Sequence, residues 1–476
     1  MSMATSRCIS STAALASALT SVLLAQAPTP STTPRSAEAI TAELDALFQP
    51  LVAGGLCPGL VVGVLDGDFR CVRGYGQRAA DQPTQPTGAT FYEIGSNSKV
   101  FTGLLLADAV VRGVVRLDDP AQKFLPEDVP LPSHEPDQPI LLWHLATHSS
   151  GLPRLPDMKG SDPQDPYAHF TVERLHQALP KLRVRRAPGA KYEYSNLGAG
   201  LLGHVLARAQ GCADYESLLR ERLCKPLGLA DTVVALTPEL QQRLAPPHDA
   251  DGDPDHLWDL AALAGAGGIR STVDDLLRFL GAQITPPEPL AAAVRLSQQK
   301  HHDGQNGIAM ALGWHLARDG ATFVHSGQTG GYHSYCAVVP STRRAVCVLT
   351  NSPTGQIDVA GERLVQFLHG MSVAPLAVAP PVALERSVLA RYVGSYRMNT
   401  LLEFTVTLGE RGLSAQLTGQ PALRIHPRSA TEFAYRAVDA SITFELDGET
   451  VTALVLHQNG QDVRCERIAA PAAAGK

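Results

Sequence analysis

Three short segments of this chain carry side chains that could perform acyl transfer. In the first, Lys99 follows Ser96 by three positions at the start of a predicted helix. Residues i and i+3 of a helix share a face, so the Lys99 amine can reach the Ser96 hydroxyl. A serine hydroxyl is a weak nucleophile until a base takes its proton, and a lysine with a depressed pKa can be that base. Ser96 is therefore the candidate nucleophile, and free N–H groups at the helix start could stabilise an oxyanion.

The second segment places a phenol and an amide two positions apart, at Tyr194 and Asn196. Near a cationic lysine the phenol should lose its proton more easily, so Tyr194 could act as a general base and then protonate the leaving group. Asn196 is expected to hold the lysine and to donate to a substrate carbonyl. The alternative is a tyrosine packed in a loop beside a turn-forming asparagine.

The third segment is His325, Ser326, Gly327 and Gln328, at a predicted strand. A strand edge with small residues lets a substrate amide pair with the backbone. The Gln328 N–H could join the Ser96 N–H in an oxyanion hole. A His-x-Gly alone is not specific, but the three segments in this order indicate a serine acyl-transfer site.

Strands at the two ends of residues 38–370 and helices between them must position these segments. Apolar residues recur at helical spacing from Ile40 to Leu51, and two apolar runs around Asp66-Gly67-Asp68 predict a β-hairpin. Helical patterns follow at 100–115, through much of 141–280 and at 360–368, and strands are predicted at 321–324, 334–339 and 345–350. The pattern predicts one sheet built from distant segments, with a helical insertion.

The C-terminal part has a different texture. Residues 371–384 are rich in proline and small apolar residues and are interpreted as a linker. Period-two alternation then predicts a small antiparallel β domain over 385–470, either a sandwich or a barrel. Two roles stay open for it: packing beside the enzyme, or shaping and covering the substrate cleft.

The composition and the N-terminal residues limit which classes of protein this chain can belong to. The 476 residues are 44% hydrophobic, which is ordinary for a globular chain, and 40 Lys+Arg against 46 Asp+Glu make a nucleic-acid partner improbable. Arg7, an apolar run and Ala25-Gln26-Ala27 predict a signal peptide over 1–27, followed by a linker over 28–37. We expect export to an oxidising compartment, a bacterial periplasm, with no membrane span; an Ala-rich tail is the alternative.

Seven cysteines follow the predicted leader, and none forms a C-x-x-C. This argues against a thiol redox site or a zinc ribbon. Cys336 and Cys347 lie symmetrically about residues 340–343, so a hairpin there would place them face to face. Cysteines adjacent across a ladder can bridge only under strain. Two buried thiols are favoured, with a disulfide as the alternative.

The other residue patterns in the sequence do not indicate a second functional site. His144 and His148 have zinc-helix spacing, but Leu145 stands where a metalloprotease needs glutamate, so both are interpreted as structural. The G-x-G-x-x-G at 198–203 follows a polar segment rather than a buried strand, which favours helix packing over dinucleotide binding. Neither a G-x-S-x-G nor a Walker A sequence occurs, and no metal or organic cofactor is expected. The aspartates are interpreted as turn residues: Asp66, Asp68, Asp249, Asp251 and Asp253.

The three segments together resemble the serine β-lactamase and penicillin-recognising hydrolase family, of the class C type, which also includes DD-peptidases, D-aminopeptidases and esterases. Residues 142–153, 226–229, 266–272 and 346–351 are similar to further segments of that family, and the likeness covers roughly 38–370. The resemblance implies a mixed α/β fold, an antiparallel sheet flanked by helices plus an all-helical subdomain, with the site at their junction. The C-terminal domain is similar to the lipocalin-like domain of some members.

By this resemblance Ser96 is the nucleophile, Lys99 and Tyr194 are the acid/base pair, and Asn196 and His325 bind substrate. Well-known β-lactamases have lysine where His325 stands, and a histidine is mostly neutral at pH 7. We therefore expect activity on carboxylate-bearing substrates to rise as the pH falls toward 6.

Three functions compete for this small-molecule or peptide substrate site: hydrolysis of β-lactam or D-amino-acid amides, ester hydrolysis, and penicillin sensing with slow deacylation. The sequence leaves the oligomeric state open.

Overall fold

A computed structural model describes residues 33–79, 83–378, 382–438, 440–458 and 460–468. The predicted signal peptide and the first part of its linker, 28–32, lie outside the described residues. The helices are α1 (Ala37–Ala53), α2 (Ser98–Val111), α3 (Leu142–Ala146), α4 (Val172–Ala178), α5 (Asn196–Ala209), α6 (Tyr215–Leu219), α7 (Lys225–Leu227), α8 (Pro238–Gln241), α9 (Ala264–Gly267), α10 (Val273–Ile284), α11 (Ala291–Ser297), α12 (Gln356–Leu368) and α13 (Arg386–Ala390). Short 3-10 turns cover Gly95–Asn97, Ala121–Phe124, Leu179–Lys181, Ala261–Leu263, Glu288–Leu290 and Pro340–Thr342, and a π turn covers Arg220–Cys224.

An eight-stranded antiparallel sheet is the centre of the first unit. Its strands lie in the order β2-β1-β10-β9-β8-β7-β6-β5, while β3 and β4 pair separately. The predicted hairpin is confirmed: Gly67 turns with φ 64° between β1 and β2. Strands from both ends of the unit meet where β1 pairs with β10. The strands are β1 (Gly59–Asp66), β2 (Phe69–Gly76), β3 (Tyr92–Glu93), β4 (Arg270–Ser271), β5 (His302–Asp303), β6 (Ala309–Met310), β7 (His315–Leu316), β8 (Phe323–Gln328), β9 (His333–Val339) and β10 (Arg344–Thr350).

Helices cover both faces of the sheet, because alternate residues of the central strands point to opposite sides. Val62 and Val64 of β1 belong to one buried cluster with the apolar faces of α1 and α12. Val61 belongs to a second cluster, which continues through α2 and α10 into the helical part of the chain. The predicted mixed α/β arrangement of a flanked sheet with a helical insertion is therefore confirmed.

The glycines at 198–203 lie within α5, where they allow close helix packing. A β-carbon on Gly200 would stand 2.5 Å from Leu263 Cδ2, and one on Gly203 would stand 3.0 Å from the Tyr215 ring. Both are tighter than ordinary contact, so the helix can approach its neighbours only with glycine here. The packing interpretation of this motif agrees with the structure.

Cys336 and Cys347 lie directly opposite each other on β9 and β10, as the hairpin prediction requires. The connection is the turn Pro340–Thr342 followed by Arg343 with φ 56°. Both cysteines are buried free thiols. Burial raises the pKa of each thiol, which keeps it protonated and unreactive.

The C-terminal domain is a closed antiparallel barrel of eight strands joined in sequence order. Of the two predicted forms, the barrel is the one observed. Its interior is filled by aromatic and aliphatic side chains, among them Tyr396, Phe433 and Phe444. The strands are β11 (Gly394–Arg397), β12 (Glu403–Gly409), β13 (Gly412–Leu417), β14 (Leu423–Pro427), β15 (Glu432–Ala434), β16 (Ala440–Asp447), β17 (Thr450–Gln458) and β18 (Gln461–Ile468).

Ion pairs join the barrel to an acidic loop of the first unit, residues 247–258. Arg411 and Arg424 both pair with Asp253, and His426 Nε2 lies 2.7 Å from Asp251 Oδ1. Asp249 Oδ1 accepts the N–H groups of both loop aspartates, at 2.9 and 2.8 Å. The aspartates were interpreted as turn residues; Asp249 acts as one, and the other two also bind the barrel. Within the described ranges, no helix is long and apolar enough to cross a membrane.

Candidate active site

Ser96 is the accessible point in an otherwise buried stretch. Every residue from Phe91 to Ala109 is buried except Ser96, which is partly exposed. Gly95, with φ 49°, opens the 3-10 turn that carries the serine into α2. The predicted placement of the serine at the mouth of a helix is therefore observed.

Lys99 lies beside the serine hydroxyl as the i, i+3 spacing predicts. Its Nζ is 2.9 Å from Ser96 Oγ and 2.6 Å from the carbonyl oxygen of Ala266. The side chain is almost fully buried. Burial, and secondarily the nearby Arg154 guanidinium, hold the pKa of Lys99 well below its usual value. A neutral amine at this distance can accept the serine proton.

Tyr194 reaches the same oxygen from the other side. It lies in the irregular segment before α5, and its hydroxyl donates to Ser96 Oγ at 2.8 Å. Lys99 Nζ and Arg154 Cζ lie 4.9 and 5.0 Å from the ring centre. Burial raises the pKa of Tyr194 to about 12, and the hydrogen bond to Ser96 only partly opposes this. The expected lowering of the phenol pKa was wrong, because desolvation outweighs the neighbouring cations.

Asn196 is the first residue of α5, with Ser195 as the N-cap. The expectation that it holds the lysine was wrong: in the structure the Lys99 amine bonds Ser96 and the Ala266 carbonyl. The Asn196 side chain instead lies close to Tyr167, where burial raises the pKa of the phenol and Asn196 partly lowers it. Its Oδ1 is buried and has no hydrogen-bond partner within the described part of the chain.

Strand β8 passes directly over the start of α2. A β-carbon on Gly327 would lie 2.0 Å from the Ile94 carbonyl and 2.8 Å from Ser96 N, so a side chain there is impossible without movement. One on Gly95 would lie 2.6 Å from Gln328 N. The backbone groups of Ser96 and Gln328 are thus brought to one place, as an oxyanion hole requires.

His325 is buried at 2% exposure and packs against His315, with ring centres 4.8 Å apart. Its Nδ1 lies 2.7 Å from the Ser326 carbonyl oxygen, an acceptor, so Nδ1 carries the proton. Burial, followed by the charges of His315 and Lys99, holds the pKa of His325 well below 6.5. This lowered pKa argues against the expected rise in activity toward pH 6, because it favours the neutral ring.

Several residues around the site carry no motif of their own. Arg154 flanks the Tyr194 ring, and the Ala266 carbonyl accepts from Lys99. Tyr192 Oη lies 3.3 Å from His315 Nε2, and His148 packs on Tyr194. His148 and Ala266 belong to segments similar to the family, which is the one signal that could have marked them. Arg154 and His315 show no such signal.

The chain matches the family model described as "Beta-lactamase" over residues 44–369. It is 29% identical over 357 residues to the D-alanyl-D-alanine-carboxypeptidase/endopeptidase AmpH of Escherichia coli strain K12, covering 71% of this chain and 89% of that protein. It is 28% identical over 345 residues to a β-lactamase of the same strain, covering 64% of this chain and 86% of the relative.

Solved structures show the same fold. A β-lactamase/D-alanine carboxypeptidase from Yersinia pestis, complexed with citrate, superposes with a TM-score of 0.63 and 28% identity, covering 70% of this chain and 99% of that one. A class C β-lactamase superposes with a TM-score of 0.62 and 22% identity, covering 70% and 98%. The matched lengths leave room for the C-terminal barrel as an addition to the shared fold.

Proposed function

Because the chain belongs to the β-lactamase family, we propose that it is a serine hydrolase that forms an acyl-enzyme at Ser96 and hydrolyses the amide bond of β-lactams or D-amino-acid peptides. One observation carries this proposal. The Lys99 amine and the Tyr194 hydroxyl both lie within 2.9 Å of the hydroxyl oxygen of the partly exposed Ser96. A nucleophile with a proton acceptor and a proton donor at hydrogen-bond distance is the arrangement that acyl transfer needs.

In the acylation step, the neutral Lys99 amine takes the hydroxyl proton as Ser96 Oγ attacks the substrate carbonyl. The N–H groups of Ser96 and Gln328 donate to the oxyanion of the tetrahedral intermediate. The amide C–N bond then breaks. Tyr194, which holds its proton in the resting site, donates it to the leaving nitrogen and recovers one from the Lys99 ammonium.

In the deacylation step, water attacks the ester carbon. The same two groups take the water proton and return one proton to Ser96 Oγ as the ester bond breaks. Lys99 and Tyr194 therefore end in their starting protonation states. Asn196, at the start of α5, keeps its expected role as a donor to the substrate carbonyl through its amide N–H; its buried Oδ1 has no hydrogen-bond partner within the described residues.

The substrate class is supported by the relatives, one a D-alanyl-D-alanine-carboxypeptidase/endopeptidase and another a β-lactamase. A second candidate, carboxylester hydrolysis with the same residues, is favoured by His325. Since this ring is neutral, it supplies no positive charge for a substrate carboxylate. An ester also has an easier leaving group and depends less on protonation by Tyr194.

The first test mixes the purified protein with a chromogenic cephalosporin and follows colour and intact mass together. The Ser96→Ala variant is run alongside, with Ser98→Ala as the matched control because the Ser98 hydroxyl is buried and accepts the Ile269 N–H. We expect turnover, with a transient mass adduct, in wild type and Ser98→Ala and neither in Ser96→Ala. A stable adduct without turnover would replace hydrolysis with penicillin sensing. Turnover of short-chain esters alone would select the esterase.

A further inference from the structure

His148 has an unusual backbone conformation for its residue type. It follows α3 and lies in the left-handed region with φ 57°, which costs free energy for a residue other than glycine. Its side chain is only 1% exposed. Such a conformation persists where surrounding contacts demand it, so those contacts indicate what the residue does.

Three contacts join His148 to Tyr194 and its neighbours. The His148 carbonyl accepts the N–H of Glu193 at 2.7 Å. The ring Nδ1 lies 3.2 Å from the N–H of Ser195. The ring itself packs on the Tyr194 ring, with centres 4.2 Å apart and planes inclined by 31°. His148 therefore holds the residues before and after the tyrosine and also one surface of its ring.

Other groups also contact the Tyr194 ring and the residue before it, but none of those described contacts the ring and both adjoining residues as His148 does. Tyr194 lies in neither a helix nor a strand. Lys99 and Arg154 approach the ring, and Arg186 pairs with the exposed Glu193 carboxylate. Beyond the tyrosine, Ser195 Oγ donates to the Pro153 carbonyl and the Asn196 N–H donates to the Arg154 carbonyl. His148 contacts the ring and the residues on both sides of it, so the direction of the phenol toward Ser96 depends on His148.

The contacts also fix the protonation state of the ring. Nδ1 accepts an N–H, so it must be unprotonated, and the neutral ring carries its hydrogen on Nε2. Burial comes first among the causes that hold the pKa of His148 well below 6.5, followed by Lys99, His315 and Arg154. Two more groups face this ring, Tyr192 at a ring distance of 5.8 Å and His325. The acceptor is therefore present at neutral pH.

We propose that His148 is a positioning residue that aims the Tyr194 phenol at Ser96 Oγ through its carbonyl, its unprotonated Nδ1 and its ring. The proposal rests on the proposed role of Tyr194 in proton transfer. Displacement of a catalytic group by about 1 Å can cost on the order of 100-fold in rate. Loss of this support should therefore lower kcat more than it changes KM, because His148 contacts the tyrosine segment rather than the space above Ser96.

The test compares His148→Asn with His148→Gln. An asparagine amide places an acceptor where Nδ1 stands and tolerates the left-handed backbone, whereas a glutamine amide places its acceptor where Nε2 stands. Rates are measured per active site, counted by acylation and intact mass. We expect His148→Gln to lower kcat by about 10- to 100-fold and His148→Asn to recover at least about half of that loss on a logarithmic scale, with KM within about threefold of wild type.

His144→Gln is the matched control. His144 lies four residues earlier, within α3, and is also buried, and its Nδ1 accepts the Leu141 N–H at 3.0 Å rather than an N–H of the Tyr194 segment. It should lower the melting temperature but leave kcat per active site unchanged. Equal kcat for the two His148 variants, or variants that lose only thermal stability, would overturn the proposal.

Two further variants separate this inference from the proposed function. If Ser96→Ala or Tyr194→Phe leaves turnover intact, the proposed chemistry is wrong and His148 has nothing to position. If both abolish turnover and His148→Gln retains wild-type kcat, the chemistry stands and the positioning role is wrong.

Discussion

At the scale of single residues, burial favours Lys99 over Tyr194 as the proposed base beside Ser96. It lowers the pKa of Lys99 and raises that of Tyr194 to about 12. Both shifts have the same cause, the cost of desolvating the charged form. A buried lysine becomes a better proton acceptor and a buried phenol a firmer proton donor. Burial therefore favours a neutral amine and a neutral phenol around the one hydroxyl.

Lys99→Arg tests this assignment directly. A guanidinium can still hydrogen-bond Ser96 Oγ and the Ala266 carbonyl, but it does not deprotonate in proteins and cannot take the serine proton. We expect acylation to slow by about 10²–10⁴-fold, the range of general base catalysis. Stopped-flow acylation with an active ester measures it. A rate within tenfold of wild type would show that another group is the base.

The pH dependence of Lys99 has a definite sign. Its lowered pKa keeps the amine neutral above that pKa, so acylation falls as the pH drops through it and the proton is gained. His325, also held neutral by burial, adds no attraction for carboxylates over the same range. We therefore expect the ratio of kcat/KM for a cephalosporin to that for an uncharged ester to stay constant between about pH 6 and 8. A ratio that grows toward pH 6 would mean that His325 becomes protonated there.

At the scale of elements, the close approach of β8 to the start of α2 brings together the two backbone groups of the proposed oxyanion hole. Gly327 permits it, since a β-carbon there would collide with the Ile94 carbonyl at 2.0 Å. Gly327→Ala should push the strand away from Ser96 N and slow acylation by about 10²–10³-fold, the cost of losing one oxyanion donor. Gly355→Ala is the control, because nothing lies within 4 Å of its added carbon. Wild-type acylation in Gly327→Ala would separate β8 from the oxyanion hole.

The same elements show what sequence reasoning can and cannot predict. Ser96, Lys99 and Tyr194 could be found because their chemistry is in their side chains and their spacing sets a shared location. The acceptor for Lys99 is the backbone carbonyl of Ala266, which has no residue-type signal. The strands β5 to β7 have two residues each, too short for an alternating pattern.

The pKa shifts of the site residues could not be predicted without the tertiary structure. The sequence shows which charged residues exist, but it does not show how deeply Tyr194 and His325 are buried. Burial has the largest effect on the pKa of each group. Asp66 is a similar case: it was interpreted as a turn residue, yet its Oδ1 accepts from Arg344 Nε at 2.8 Å in the core. That partner lies 278 residues away, beyond any local pattern.

At the scale of the whole molecule, the acidic loop connects the barrel to the catalytic unit. Asp251 and Asp253 bind the barrel, and the same loop reaches the turn after Gln328. A β-carbon on Gly331 would lie 2.2 Å from Pro247 Cβ, and one on Gly330 would lie 2.8 Å from Trp258 Nε1. The loop thus touches both the barrel and the segment that follows a proposed oxyanion donor, which favours the second predicted role of the barrel, shaping the cleft.

A double-mutant cycle of Arg424→Gln and Asp253→Asn measures how much this ion pair between the barrel and the loop contributes to the free energy of unfolding. The two side chains are 18% and 27% exposed, so water screens their attraction only partly. We expect a coupling free energy of about 1 kcal/mol from thermal or denaturant unfolding. The pair Arg464 and Glu445, 48% and 42% exposed on the barrel surface, is the control, and its coupling should be only a few tenths of a kcal/mol. Equal coupling in the two cycles would mean that the barrel is only tethered by the chain. A larger coupling at the junction, with a raised KM in Asp253→Asn, would make the barrel part of the substrate site.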